Sequence, residues 1–516
     1  MNTDNAENCI AKPKNKKRRL YDIHAWLGFN LAFLMTLLLA TGTIATLSHE
    51  IDWLIQDDMR VTPATIKVPW GTLEKNVKAA ANPDDMLTIF TEGESDYFAY
   101  RATFLRADGT RYFVHINQWT GKVTGTTDFL TVQRFFRDLH RYFFMPSFIG
   151  LPITGSLAIV LLISLYSGLK TTGRLKKSAL RFRTNQGARV VLSDLHKVSG
   201  IWATWFIILM VVTAIWYLVE FGSLVAKSSF EPARPGPSIE RIQEFGDTLD
   251  IIPASEFIKN AKAAFPNWEP VQILYPTSVS QAITVLGNTN DILVRSRANR
   301  VFIDPEDGSI IKVQKSTDLS TAAYINETAD PLHFGNLGKL TTKVIWFIFG
   351  IMLTGMSITG VLMTYKRLKS ARLSTAQIKT FPILILVMVA GFIYVKKENH
   401  NPEPSQYLAK SNALFNGFTM IGTLKKGESS DTLKVNITHP HGFPIIESVY
   451  AIDTLGNSFK LNPKTFSSTT IFQKVLPNES SMDYDNLKLK VTFPSGVDHT
   501  FKLNKPPTAQ EITEVL

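Results

Sequence analysis

One unit occurs twice in this chain. Each copy joins two apolar runs, long enough to cross a membrane, through a longer polar segment. Asp22-Ile23-His24, followed by Gly28, opens the first run, and Asp194-Leu195-His196, followed by Gly200, opens the third. Leu139-His140 precedes the second run and Leu332-His333 precedes the fourth. His24 and His196 are 172 positions apart, and His140 and His333 are 193 apart. The endings match as well. Tyr166-Ser167-Gly168 leads to Arg174-Leu175-Lys176, and Ile358-Thr359-Gly360 leads to Arg367-Leu368-Lys369. Hydrocarbon offers no partner to a backbone N–H or C=O, so only helices and closed barrels span it. Runs of this length point to an α-helical membrane bundle.

The four clear runs are Trp26–Leu47, Phe148–Leu169, Ile201–Val219 and Val344–Tyr365. A fifth, Phe381–Val395, is shorter than the roughly 20 residues a span needs. Mean hydropathy is slightly positive and only 19% of residues are charged, which fits a membrane protein with sizeable aqueous parts. Lys12, Lys14, Lys16, Lys17, Arg18 and Arg19 precede the first run, and short loops rich in Lys and Arg follow the second and fourth. Such segments stay in the cytoplasm. The formal charge of +11 is therefore a topological signal, and no nucleic-acid partner is expected.

The expected order is a basic N-terminus (1–22), a span (23–49), an outward segment (50–138) and a second span (139–169). A basic loop (170–195), a third span (196–220), a second outward segment (221–332) and a fourth span (333–365) repeat the plan. A loop (366–379), a fifth span (380–396) and an outward tail (397–516) complete it. The first run is too long for a cleaved signal peptide. The simplest home is a bacterial inner membrane, with the N-terminus cytoplasmic and the large segments periplasmic.

Cys9 is the only cysteine. That excludes intramolecular disulfides, cysteine-held iron–sulfur clusters and covalent haem attachment through Cys-x-x-Cys-His. Each outward segment reads as a small α+β unit. The first has a helix near 71–81, alternating strands at Phe98–Phe104 and Arg111–Asn117, and a turn at Trp119-Thr120-Gly121. The second has a helix near 253–264, a strand ending at Asp304 and a turn at Glu306-Asp307-Gly308. The tail is β-rich, with runs such as Leu433–Thr438 and Thr469–Val475, and suggests a small antiparallel sandwich. His439-Pro440-His441 lacks a third ligand and reads as a loop.

These residues carry a resemblance to the PepSY-associated transmembrane family: Asp22 to Gly28, Ala40-Thr41-Gly42, Asp194-Leu195-His196, the hairpins Ile116–Val123 and Ile303–Ile310, Leu332-His333 and Ser357-Ile358-Thr359-Gly360. It covers roughly residues 16–372. The resemblance implies two PepSY-like periplasmic domains on a four-helix bundle. One branch of the family is siderophore reductases with two b-type haems, so it also implies reduction of a ferric siderophore in the periplasm. The fifth span and the β-rich tail depart from the family's basic pattern.

Two matched histidine pairs at equal depth suggest axial ligands, since neutral imidazoles on facing helices can fill both axial positions of a haem iron. His24 and His196 would hold an inner haem, and His140 and His333 an outer one. Each could instead be an ordinary interfacial histidine. His24 and His49 cannot share one iron if span one is a continuous helix, since 25 residues separate them, but His49 is an alternative to His140 as the outer ligand. It could also contact a propionate or simply be interfacial. Arg137 and Arg141 flank His140 and suit haem propionates, an anionic siderophore or lipid headgroups. His115, on an outward strand, reads as a structural or surface residue. No nucleotide-binding motif is present, so electrons would come from a membrane quinol or a separate cytoplasmic reductase. The expected activity is a di-haem ferric-siderophore reductase embedded in the lipid bilayer. The rival readings are a non-enzymatic anchored binding module and a siderophore or iron uptake component.

Overall fold

A computed structural model describes residues 16–241 and 251–367, apart from 84, 107–109, 227, 233, 239–240 and 278–280, and beyond 367 mainly the strands of the tail. The expected fifth span (380–396) lies largely outside the described residues, as does His439-Pro440-His441. The chain divides into two compact units. One comprises residues up to 52, 130–231 and 321–395, and the other 53–129, 232–320 and 396–516.

The first unit is helical. α1 (Lys16–Asn30), α2 (Ala32–Thr46) and α3 (Ser48–Ile55) open it. After α4 (Trp70–Ala80), which belongs to the second unit, come α5 (Val132–Tyr142), α6 (Ser147–Thr172), α7 (Leu175–Ala179), α8 (Ala188–Trp202) and α9 (Thr204–Val225). After α10 (Ala254–Ala264), again in the second unit, come α11 (Thr321–Phe334) and α12 (Lys339–Arg367). Among the described residues, three helical segments are long and apolar enough to cross a membrane, and α1 with α2 makes a fourth span if that pair, bent by 69°, counts as one.

That bend differs from the continuous first span the sequence suggests. It falls at Leu31, whose backbone leaves the helical range for the bridge region (φ −103, ψ 8), although Leu31 N–H still donates to Leu27 O at 3.1 Å. Ala203, 172 positions on, separates α8 from α9 in the same way (φ −83, ψ 1), with its N–H donating to Ser199 O at 2.9 Å. His140 and His333 also lie outside the spans expected to hold them. His140 rides on α5, which ends at Phe143 and Phe144 in left-handed conformation (φ 52 and 57). His333 rides on α11, which ends at left-handed Gly335 (φ 73). A left-handed bulky residue costs roughly 1–2 kcal/mol. Phe143 and Phe144 offset this by burial against Leu139 and Leu157.

Packing repeats with the two copies exchanged. α1 packs on α6 as α8 packs on α12, α2 packs on α12 as α9 packs on α6, and α2 holds α5 as α9 holds α11. Small polar residues line the α2–α12 seam: Thr36 Oγ1 lies 2.7 Å from Ser357 Oγ, and Thr43 Oγ1 lies 3.2 Å from Thr354 Oγ1. Without a hydrophobic drive between helices in lipid, such contacts and close approach at small residues are what hold them.

The second unit contains one eight-stranded antiparallel sheet rather than two separate domains. Its strands are β1 (Met86–Thr91), β2 (Tyr100–Leu105), β3 (Arg111–Ile116), β4 (Val123–Asp128), β5 (Glu269–Leu274), β6 (Ile283–Asn288), β7 (Arg300–Ile303) and β8 (Ile310–Gln314). Their order is β4-β3-β2-β1-β5-β6-β7-β8. β1 and β5 join the halves, with Thr91 opposite Gln272. Each half repeats one device. The Asn117 and Asp304 side chains accept the N–H groups of the two turn residues that follow, Trp119 and Thr120 or Glu306 and Asp307. The turns end at left-handed Gly121 and Gly308. Asn76 on α4 and Asn260 on α10 donate to the carbonyls of those glycines at 2.7 and 2.9 Å. Buried Glu74 of α4 accepts Ala254 N–H at the start of α10, at 2.7 Å.

The tail supplies β9 (Thr419–Lys425), β10 (Ser430–Thr438), β11 (Ser448–Ile452), β12 (Ser458–Phe466), β13 (Thr469–Pro477), β14 (Asn486–Thr492) and β15 (Asp498–Asn504). They are antiparallel and bond in a single order, β15-β14-β11-β12-β13-β10-β9. β12 pairs first with β11 and then with β13.

Candidate haem-ligand pairs

The bundle brings the four histidines together in twos. His24 of α1 and His196 of α8 have ring centres 6.0 Å apart, with planes at 80°. His140 of α5 and His333 of α11 have centres 6.3 Å apart, with planes at 41°. Each pair takes one member from each copy, at equivalent positions. A metal–imidazole bond is about 2 Å, so two rings sharing one metal through Nε2 have centres about 6 Å apart.

The hydrogen bonds decide which ring nitrogen is available. His24 Nδ1–H donates to Ser164 O at 3.0 Å, with Ser167 Oγ at 3.2 Å. His196 Nδ1–H donates to Met356 O at 2.9 Å, with Thr359 Oγ1 at 3.2 Å. His140 Nδ1–H donates to Leu38 O at 2.9 Å. A carbonyl can only accept, so in these three rings Nδ1 carries the proton and Nε2 keeps its lone pair. His333 Nδ1 meets Thr213 Oγ1 at 2.8 Å. That hydroxyl donates to Leu209 O at 2.9 Å, so it accepts from the imidazole. Fixing Nδ1 this way is how proteins orient a metal-ligating histidine and raise its basicity. The partners obey the repeat too. Ser164 and Met356, like Ser167 and Thr359, are 192 positions apart, and Thr41, which lies 3.5 Å from His140 Nδ1, is 172 from Thr213.

Glycines make room for the rings. A Cβ at Gly168 would lie 3.2 Å from His24 Cε1, one at Gly360 would lie 3.3 Å from His196 Cε1, and one at Gly42 would lie 2.6 Å from His140 Cε1. Along α6 the two pairs are well separated. Thr154, which donates to Arg141 O beside His140, is 10 and 13 residues from Ser164 and Ser167, or about 15–20 Å of helix.

Of the remaining sequence candidates, Arg137 and Arg141 share α5 with His140. Arg134 pairs with buried Asp138 at 3.0 Å, and Tyr142 OH donates to the same carboxylate at 2.9 Å. Burial, with the like charges of Arg134 and Arg141, lowers the pKa of Arg137. Arg141 lies over the Tyr142 ring. His49 lies on α3, and the ring of His140 faces that of His333. His115 is 1% exposed and belongs to the second unit, with Nε2 at 2.9 Å from Thr127 Oγ1. A shallow surface groove lies one turn before His24, lined by Lys17, Arg18, Tyr21 and Thr171. Sequence reasoning missed the Nδ1 acceptors, although Ser167-Gly168 and Thr359-Gly360 already stood in matching positions.

The sequence pattern of the PepSY-associated TM region matches residues 21–367. The chain belongs to that family. No curated protein matches it. The matched residues run from just before His24 to the end of α12 and include all four paired histidines.

A haem fits what these residues offer. Among the described residues, no group of three or more His, Cys, Asp or Glu side chains could hold a metal ion, so each site supplies two imidazoles alone. A bare zinc-like ion takes about four protein ligands, whereas a haem iron in its macrocycle takes only two axial ones.

Proposed function

We propose that this PepSY-associated membrane protein is a di-haem electron carrier that reduces ferric siderophores on the outer side of a bacterial inner membrane. The observation that carries the reading is the double pairing: two sets of imidazoles, 6.0 and 6.3 Å apart, each presenting Nε2. When bound, two b-type haems supply one-electron redox chemistry at two depths in a bilayer whose hydrocarbon core is about 30 Å thick. The chain's own residues do the rest. Ser164, Met356, Leu38 and Thr213 hold the Nδ1 protons, and Gly42, Gly168 and Gly360 leave the rings space. Arg137 and Arg141 offer positive charge near the outer pair, suited to propionates or to an anionic chelate. The pair of His24 and His196 is the one at the inner end, where a quinol or a cytoplasmic reductase would donate electrons. One electron turns a ferric ion into a ferrous one, which hard oxygen ligands hold less tightly.

The test is a reduced-minus-oxidised visible spectrum of the detergent-purified protein with haem quantified per chain, alongside His24→Ala and His333→Ala. Two low-spin b-type haems, one lost or made high-spin in each variant, are expected. Anaerobic reduction followed by a ferric siderophore should then reoxidise the protein and release ferrous iron. A colourless protein, expressed with ample haem, rules out the carrier reading and favours the anchored binding module.

A further inference from the structure

The two copies secure their outer histidine helices by different means. In copy two, α11 is tied to α9 by side chains: Trp216 Nε1–H donates to Asn326 Oδ1 at 3.0 Å, and Tyr217 OH donates to Asp330 Oδ1 at 2.7 Å. The Tyr217 ring also meets His333 edge-on, with centres 5.3 Å apart. Copy one has none of these groups. Ile44 and Ala45 stand 172 positions before Trp216 and Tyr217, and Gln133 and Arg137 stand 193 before Asn326 and Asp330.

Asp52 stands in their place. It lies on α3 and is 2% exposed. Its Oδ1 accepts Val132 N–H at 2.8 Å, and its Oδ2 accepts Gln133 N–H at 2.9 Å. Thr131 Oγ1 accepts Arg134 N–H at 3.3 Å. The first three amides of α5, which have no partner inside their own helix, are thus all occupied. A buried carboxylate using both oxygens on a helix N-terminus makes charge-assisted hydrogen bonds and meets the positive end of the helix dipole. It fixes the first turn in direction as well as place. His140 lies eight residues on, about 12 Å along α5. The equivalent position in copy two is Leu224, which can offer no such bond.

We propose that Asp52 is a positioning residue for the outer pair: it pins the N-terminus of α5 and so sets the ring of His140 against that of His333. The proposal rests on the di-haem reading. Without Asp52, the first turn of α5 loses its clamp, and α5 rests on α2 through the bond from His140 to Leu38 and the apolar packing of Leu139 and Phe143, both nearer its C-terminal end. Residues 53–129 form part of the other unit, so the Asp52 clamp also closes both ends of that insertion.

The test uses the full chain carrying Asp52→Asn or Asp52→Leu. It compares haem content, the low-spin electron paramagnetic resonance signals and the midpoint potential of each haem, with His24→Ala and His333→Ala assigning inner and outer. Amide exchange at Val132 and Gln133 is followed in the same samples. Asp52→Leu is expected to speed exchange at both amides and to shift or abolish the low-spin signal of the outer haem alone. Asp52→Asn keeps one acceptor and should give a smaller change of the same kind, and it carries the test if Asp52→Leu does not fold. Unchanged outer-haem signals in a folded variant overturn the proposal, as do equal changes at both haems, which mark general destabilisation. A colourless parent protein overturns the di-haem reading instead, while the exchange data still report on the clamp.

Discussion

Four histidines could be picked from the sequence because duplication puts them in register, and register is visible without coordinates. What makes them suitable ligands was less visible. The acceptors Leu38, Ser164 and Met356 act through backbone carbonyls, which no side-chain pattern announces. Asp52 was missed for a similar reason, since its partners are amides 80 residues away; the only hint was a carboxylate at the outer end of the first span where copy two has Leu224. A fifth histidine permits a sign-specific prediction. Burial, and then the charge of Arg101, lowers the His115 pKa to about 3, against about 6.5 in an unfolded chain. Between those values the unfolded state binds a proton that the folded state refuses. The sheet should therefore lose stability as pH falls from 6.5 toward 3, by up to about 1.4 kcal/mol per pH unit, and stay level in this respect above 6.5. Amide exchange across β3 and β4 of the intact protein should quicken on acidification, and His115→Gln should flatten the response. A slope unchanged by that substitution would place its origin elsewhere.

Among the elements, the long apolar helices were legible and their interruptions were not. Neither Leu31 nor Ala203 is a proline or a glycine, so nothing local marks the break between α1 and α2 or between α8 and α9. Only the match of the two positions, 172 residues apart, shows that the distortion belongs to the plan. The same holds for α5 and α11, which the sequence runs into the spans that follow them. Where helices meet, contacts are close. A Cβ at Gly350 on α12 would lie 2.6 Å from Thr43 Oγ1 on α2. Gly350→Leu should therefore push these helices apart and destabilise the bundle by about 1–3 kcal/mol, the usual range for overpacking. Gly350→Ala should cost less, since Thr43 can turn away at the loss of its contact with Thr354. The thermal midpoint of the detergent-solubilised protein reads both. Equal midpoints for parent and Gly350→Leu would show that the seam has slack.

At the scale of the whole molecule, the repeat was legible but the way the polar segments of its two halves combine was not. Each half, read alone, supplies a helix, strands and a glycine turn, and so resembles a finished small domain. It is not finished, because β1 and β5 leave an edge each, and unpaired edges are the part of a sheet most in need of cover. Pairing β1 with β5 removes both edges at once and makes one sheet of two segments separated in sequence by two spans. Thr91 and Gln272 mark the junction: they are opposite one another, and Gln272 Nε2–H donates to Thr91 Oγ1 at 2.9 Å. Directly opposed residues have Cβ atoms about 4.5–5.5 Å apart, close enough for a disulfide after a small adjustment. With Cys9 replaced by Ser, the double variant Thr91→Cys, Gln272→Cys should form that bond in an oxidising compartment. After cleavage at a protease site built into the exposed loop between α7 and α8, the halves should run as one band in denaturing electrophoresis until a reductant is added. Halves that separate without reductant would mean that the two outward segments do not share a sheet, and that each copy stands as its own domain after all.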